Sequence, residues 1–418
     1  MEERKDVLIR ELYGMDEESM ERMQTLKKSF QKHFHNERAE FFSAPGRTEI
    51  IGNHTDHNGG MVIAASIDKD TIAAAYPNQS DFVHLISEGY DVEITLDLSE
   101  LEAVVKETGT KSLVAGMLEA VRFYGYKVGG FDAYISTNVI AAAGVSSSAS
   151  FEMLICAIVN YFFNNQTMSY IDYARIGQYA ENKYWKKASG LMDQMACAVG
   201  GTILLDFSNE NQIGCKKMDF TFEQSGYSLV IVNTGKSHAD LSHEYSVVPL
   251  EMKQAASALG VDLLCESNLN SLLEHILKIE NDRASLRALH FFEENRRVKR
   301  AVEAINGNDV EKLLQLMDES GTSSWELLQN CYSLEDCTEQ KIPLCLALSR
   351  LFLNQIGDGM CRVHGGGFAG VIMCIVPTEE KKNYINYISK YVGVENVYPM
   401  NIRKVGAVHL SAWAVDSK

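Results

Sequence analysis

Hydrophobic and polar positions change period several times along this chain. Residues 17–33 are charged and predict an exposed helix, after which short apolar runs bounded by turn residues take over. The runs 61–65 and 71–76 read as strands, as does the alternation Phe131, Ala133, Ile135. The nearly unbroken apolar run 151–162 predicts a buried helix, and 202–207 and 228–233 return to strand-like pattern. Leu286, Leu289, Val298, Ala301, Val302 and Ile305 recur at helical spacing and predict a helix over 283–306. Residues 343–354 predict another apolar helix, and 370–376 another strand. Both halves mix the two element types, so the class is α/β (α+β). The polar stretch 209–217 interrupts the pattern and sets a boundary within 210–228, dividing the chain into domains 1–222 and 223–418.

Composition narrows the partners. At 418 residues the chain is long enough for two or three domains with a large core. Lys and Arg number 39 against 56 Asp and Glu, a net charge of −17, which opposes nucleic acid and anionic membrane surfaces as partners. Residues 1–10 are highly charged, without the apolar centre of a signal peptide, and no apolar run approaches the ~20 residues of a membrane span. Nine scattered cysteines without a Cys-x-x-Cys pair read as free thiols, so a cytoplasmic location is expected. A monomer is the default expectation, since nothing in the pattern speaks of assembly.

Four segments carry candidate chemistry. Ala143-Gly144-Val145-Ser146-Ser147-Ser148-Ala149-Ser150 lies between a predicted strand and the helix that begins near Ser150. Small residues there let a ligand approach the backbone, and successive N–H groups at a helix N-terminus make an anion site. The plain alternative is a Ser-rich helix cap. Thr234-Gly235-Lys236-Ser237 imitates the end of a Walker A loop, but Val230 stands where its first glycine is required. The stretch 43–60, from Ser43-Ala44-Pro45-Gly46-Arg47 to Asn58-Gly59-Gly60, concentrates Arg47, His54, His57, Glu49 and Asp56 among glycines. That density suits a hydroxylated ligand; a metal site at His54, Asp56 and His57 lacks a well-spaced third ligand, and the Asn-Gly-Gly end reads equally as a turn. Gly190-Leu191-Met192-Asp193-Gln194 places one Asp on a loop, and Arg362-Val363-His364-Gly365-Gly366-Gly367 marks either a close ligand approach or a hinge.

In chain order the segments 43–60, 143–150, 190–194 and 362–370 resemble the galactokinases of the sugar- and mevalonate-kinase superfamily, whose signatures read PGRxNxIGEHTDYNGG, GLSSSAS, GIMDQ and RMTGGGFGG. The likeness runs from about residue 43 to 376, and 290–301 is similar to the family's H-x-x-x-E-N-x-R helix. It implies a two-domain sugar kinase with a ferredoxin-like C-terminal domain, and MgATP as phosphoryl donor to the anomeric hydroxyl of galactose. It also implies residue roles. Asp193 matches the catalytic base and Arg47 its partner. Ser148 and Glu181 match the magnesium ligands, and Ala142, Ala143, Gly144, Val145, Ser146 and Ser147 the phosphate loop. Asn53, His54, Asp56, Gly190 and Tyr245 match sugar contacts.

The chain departs from these signatures in several places. Glu49 and Asn53 stand where the family has Asn and Glu, as if exchanged, and the family Glu contacts the sugar's C6 hydroxyl. Either galactose is retained through a nearby carboxylate or amide, or a C6-modified or related sugar such as galacturonate, N-acetylgalactosamine or arabinose is the acceptor. His57 replaces a Tyr, His364 a Thr, and Ala142 and Ala369 replace glycines. A sugar sensor without catalysis is the rival of another class.

Overall fold

The runs 61–65 and 71–76 are one continuous strand, although Asp68, Lys69 and Asp70 lie between them. The chain is described by a computed structural model over residues 12–13, 17–89, 93–106, 109–140, 143–186, 189–209, 212–235, 242–334, 336–368 and 370–410. Its first part comprises α1 (Glu17–Phe34), β1 (Glu40–Ile51), β2 (Met61–Pro77), β3 (Phe82–Ser87), β4 (Glu93–Asp97), α2 (Thr110–Phe123), β5 (Phe131–Thr137) and α3 (Ser147–Phe163). Then come α4 (Tyr170–Lys183), α5 (Met192–Val199), β6 (Thr202–Asp206), β7 (Gly214–Met218) and β8 (Tyr227–Asn233). Helices α6 (Ser242–Ala258), α7 (Leu269–His275), α8 (Asp282–Asn306), α9 (Val310–Ser323) and α10 (Lys341–Ile356) follow. The described residues end with β9 (Met360–Val363), β10 (Val371–Pro377), α11 (Lys381–Val392), β11 (Val397–Met400) and β12 (Val408–Leu410).

The polar middle of β2 survives because its groups find partners. The first half of β2 pairs with β6 and the second half with β5, while β1 runs along both. At the crossover the Asp68 N–H donates to Asn401 O and the Arg403 N–H to Ser66 O. Buried Asp70 is held by Arg22 at 2.6 Å and Arg403 at 2.9 Å. The backbone therefore stays extended with its donors and acceptors satisfied.

The larger sheet runs β12-β1-β2-β5-β3-β4, with β6 and β7 continuing from β2; among the described residues only the β3–β5 pairing is parallel. Side chains alternate across it as strand geometry requires. Phe42, Ala73 and Ala75 meet α2, α3 and α4 on one face, and Phe41, Ile72 and Ala74 meet Met23, Leu26 and Phe30 of α1 on the other. Part of the polar stretch 209–217 belongs to β7, an edge strand whose exposed Lys216 and Lys217 discourage further pairing.

The smaller sheet is antiparallel in the order β11-β8-β10-β9, the βαββαβ pattern of a ferredoxin-like unit with α6–α10 in its first crossover and α11 in its second. Val230, Val232, Ile372 and Cys374 face α10 and α11. Leu229, Ile231, Val371 and Met373 face the other way, joining Ile50, Ile51 and Ile63 of the larger sheet with α8 and α9 in one apolar cluster. Each such buried side chain contributes about 1.5–3 kcal/mol of transfer free energy. The two sheets are thus joined by core, and the signature segments lie along that junction. We propose a domain boundary at 222–223, between β7 and β8; β12 returns to the edge of the larger sheet beside β1. Among the described residues no helix is long and apolar enough to cross a membrane.

Candidate active site

Arg47 and Asp193 are 146 positions apart and form a two-point ion pair. Arg47 sits on β1 just after a break in its register with β2, and its N–H donates to Val145 O at 3.0 Å. Its Nε and Nη2 donate to Asp193 Oδ1 and Oδ2, each at 2.8 Å, and its Nη1 donates to the Gly144 carbonyl. Burial disfavours the guanidinium charge, but Asp193 outweighs it and the net shift of the Arg47 pKa is upward. Asp193 lies in the first turn of α5, where the helix dipole favours a carboxylate. Its side chain keeps 30% exposure against 7% for Arg47, so the carboxylate is the open member of the pair. Ser146 Oγ also donates to Asp193 Oδ2.

The loop before α3 takes left-handed backbone at Gly144 (φ 63°) and Ser146 (φ 59°). Ser146 is the residue preceding α3, yet its hydroxyl faces Asp193 and does not cap the helix. The first-turn N–H groups are left facing the loop, an arrangement suited to phosphate. Ala142 and Ala369 lie outside the described residues. Ser148 Oγ donates to Glu181 Oε1 at 3.2 Å, and buried Gln194 donates to Glu181 Oε2 at 3.4 Å and to Glu152 Oε2 at 3.1 Å. A hydroxyl and a carboxylate side by side at a phosphate loop fit magnesium, which takes few protein oxygens alongside those of phosphates. Among the described residues no cluster of three or more His, Cys, Asp or Glu could cage a metal ion.

His54, Asp56, Gly190 and Tyr245 come together. His54, in left-handed backbone at φ 59°, has Nε2 2.9 Å from Gly366 O, and its ring is 5.2 Å from that of Tyr245. Burial lowers the His54 pKa to about 3, keeping the ring neutral, so Nε2 donates to the carbonyl. His57 Nε2 lies 3.3 Å from the Tyr245 hydroxyl and 3.8 Å from Asp56 Oδ1. A methyl group on Gly190 would collide with Asp56 Oδ2, and one on Gly366 would reach within 2.7 Å of the Tyr245 ring. These two glycines let Asp56 and Tyr245 occupy their places.

Asn53 turns its side chain into the protein. Its side chain is buried with every hydrogen-bonding group engaged by the protein. Nδ2 donates to Gly365 O at 2.7 Å and to the Glu49 carboxylate at 3.2 and 3.3 Å, while Oδ1 accepts from Asn330 Nδ2 at 2.8 Å. Glu49 in turn forms a buried ion pair with Arg362, so it offers no surrogate carboxylate to a ligand. Burial raises the Glu49 carboxyl pKa against the opposing pull of Arg362. Because Glu49 and Asn53 touch, exchanging the two residue types still leaves one amide and one carboxylate in contact.

Helix α8 holds this segment from the side. Glu294 Oε1 accepts from the N–H groups of Gly52 at 3.0 Å and Asn53 at 3.3 Å, and Asn295 Oδ1 accepts from Met61 N–H at 2.7 Å. Burial opposes the Glu294 charge, but Arg297 and its other neighbours hold the pKa at about 2. His290 Nε2 lies 2.9 Å from Asn53 O. The H-x-x-x-E-N-x-R spacing therefore reads as a brace for the signature turn. Asn330 was invisible in the sequence: nothing local marks an Asn after a helix as the partner of Asn53. Thr234 and Gly235 are described, whereas Lys236 and Ser237 lie outside the described residues.

Comparison with known proteins agrees with the fold. The chain matches the family models for the galactokinase galactose-binding signature over residues 28–77 and for the GHMP kinases N terminal domain over 112–201. It is 31% identical to a galactokinase of Actinobacillus pleuropneumoniae, over 91% of this chain and 97% of that protein. A galactokinase of Glaesserella parasuis is 30% identical, over 88% of this chain and 94% of that one. The crystal structure of Lactococcus lactis galactokinase complexed with galactose is similar at TM-score 0.80 and 25% identity, covering 92% of this chain and 99% of that one. Methanococcus jannaschii mevalonate kinase shares the fold at TM-score 0.63, with 18% identity over 88% of this chain and 99% of that one.

Proposed function

The chain belongs to the galactokinase family, and from that premise we propose that it transfers the terminal phosphoryl group of ATP to the anomeric hydroxyl of galactose, giving galactose 1-phosphate and ADP. The observation that carries this reading is the Arg47–Asp193 fork, set directly against the loop that precedes α3. Phosphoryl transfer asks for positioning and charge stabilisation more than covalent help. Asp193, open on one side, accepts the proton of the attacking hydroxyl. Arg47 fixes both oxygens of that carboxylate and brings positive charge to the same edge of the loop.

Backbone N–H groups of residues 144–147 would hold the phosphates, and Ser148 and Glu181 would hold the magnesium ion. That ion supplies charge neutralisation on the phosphate oxygens. Asp56, His54, Tyr245 and the bare backbone at Gly190 hold the sugar. Asn53 acts at one remove, through the Glu49–Arg362 pair and the Gly365 carbonyl.

Two features support galactose as acceptor over a C6-modified sugar. Glu49 and Asn53 are engaged within the protein, so their exchange does not open a vacant charge beside a ligand. The remaining sugar-facing groups keep the types that the galactokinase signature has, apart from His57. The coupled positions of Arg47, Asp193, Ser148 and Glu181 support a working enzyme over a sensor. ADP release measured with galactose, galacturonate, N-acetylgalactosamine and arabinose tests the assignment. Turnover is expected with galactose. Turnover of another sugar with galactose inert would replace the acceptor, and no ADP from any of them would leave the sensor.

A further inference from the structure

His364 stands at the head of the triple-glycine loop, where the resemblance has a Thr. Its ring is 2% exposed, and its two nitrogens are in different situations. Nε2 lies 2.9 Å from Thr48 Oγ1 and accepts the Glu49 N–H at 3.4 Å. Accepting a backbone N–H requires a lone pair on Nε2, which places the proton of the neutral ring on Nδ1. Nδ1 has no hydrogen-bond partner among the described residues. A methyl group built on Gly144 would lie 3.4 Å from it, so this N–H faces the loop that precedes α3.

The same glycine is also contacted by Arg47, whose Nη1 donates to the Gly144 carbonyl. Arg47 and His364 thus both come to Gly144, the former engaged with Asp193 and the latter holding an unpartnered donor. A buried donor with no acceptor is costly and rare in folded proteins. An oxygen anion arriving between the loop and Asp193 satisfies it. We infer that His364 is a phosphoryl-contacting residue, its Nδ1–H donating to an oxygen of the terminal phosphate of bound ATP. Burial, with Arg47 and Arg362 nearby, holds the ring's pKa well below its ordinary value, so the ring works as a neutral donor and does not titrate in the working range.

This inference rests on the kinase reading, and its test separates the two. Calorimetric titration of the full chain with magnesium and either adenylyl imidodiphosphate or ADP reads the terminal phosphate apart from catalysis. His364→Ala is expected to weaken the triphosphate analogue about tenfold while leaving ADP unchanged, the size of one hydrogen bond to a charged group. His364→Asn, which keeps an N–H donor near the Nδ1 position, is expected to restore most of the loss. In wild-type protein carrying 15N-labelled histidine, the Nδ1 resonance of His364 is expected to shift with the triphosphate analogue and not with ADP. An unchanged triphosphate-to-ADP affinity ratio in His364→Ala overturns the contact. Should that variant not fold, a wild-type Nδ1 resonance indifferent to the terminal phosphate overturns it equally. Loss of sugar-dependent turnover in wild type, by contrast, bears on the kinase reading alone.

Discussion

Arg47 and Asp193 meet through two parallel 2.8 Å hydrogen bonds, and the carboxylate is the member that remains reachable from outside. The geometry separates charge from access: Arg47 is the buried, fixed cation, and Asp193 is the group a hydroxyl can approach. Asp193→Asn keeps the shape and removes the proton acceptor. It is expected to lower kcat by about 10²–10⁴-fold, the range for a general base, while the affinity for an ATP analogue changes little. Arg47→Lys keeps the charge but cannot bond both oxygens, so it should lower kcat as well. Steady-state kinetics with a calorimetric titration of the nucleotide checks both; a near-normal rate in Asp193→Asn removes the base assignment.

The Glu49–Asn53 contact gives a second prediction. Asn53→Glu places a second carboxylate against Glu49 in a buried site, and Glu49→Asn leaves buried Arg362 without its partner. Each single change is expected to cost about 3–5 kcal/mol, as for other uncompensated buried charges. Making both changes restores one amide and one carboxylate. The double variant should therefore be more stable than the two losses added together, with a coupling of about 1–3 kcal/mol in urea unfolding. Strict additivity would show that the pair does not act as a unit.

Much of the fold could be read from apolar period, because strands and helices here bury one regular face each. The helix over 283–306 and the strand alternation at Phe131, Ala133 and Ile135 sit where the pattern put them. What could not be read was the continuity of β2, since Asp68, Lys69 and Asp70 look like a break until Arg22 and Arg403 are seen around Asp70. The same holds at the site. Arg47, Asp193, Ser148 and Glu181 were marked by the resemblance of the ordered segments to the galactokinase signatures. The fate of Asn53 did not, because whether an amide faces a ligand or the interior depends on Asn330, Glu49 and Gly365, up to 312 positions away. Pairings across that span leave no local trace.

Buried histidines give the protein an acid-sensitive stability. His54 has a folded pKa of about 3, below its ordinary 6.5, so the unfolded chain takes up a proton near pH 6.5 that the folded chain refuses. Stability is full above pH 6.5 and falls as pH drops below it. His290 and His364, also lowered by burial, act with the same sign. Glu49, raised by burial, acts with the opposite one, so the test is best kept above the carboxylate range. Between pH 7.5 and 5.5 His54 alone should account for about 1.4 kcal/mol. Urea midpoints at the two pH values check this, and His54→Asn, tolerated in left-handed backbone, should flatten the dependence by that share.

Gly190→Ala is expected to separate sugar affinity from the rest of the proposed site. Its Cα packs against the Asp56 carboxylate so closely that an added methyl must displace Oδ2, the flexible end of a side chain rather than backbone. Gly190→Ala should therefore move Asp56 without unfolding the helix that follows. The Arg47–Asp193 fork lies on the far side of Leu191 and Met192 and keeps its own hydrogen bonds. A displaced carboxylate loses charge-assisted bonds to sugar hydroxyls, each worth about 1.5–3 kcal/mol. The expected result is a KM for galactose raised at least tenfold, with KM for ATP and the melting temperature close to wild type. An equal loss in both substrates would mean that Gly190 serves the loop's shape instead of the sugar pocket, and Asp56 would lose its place as the sugar's main anchor.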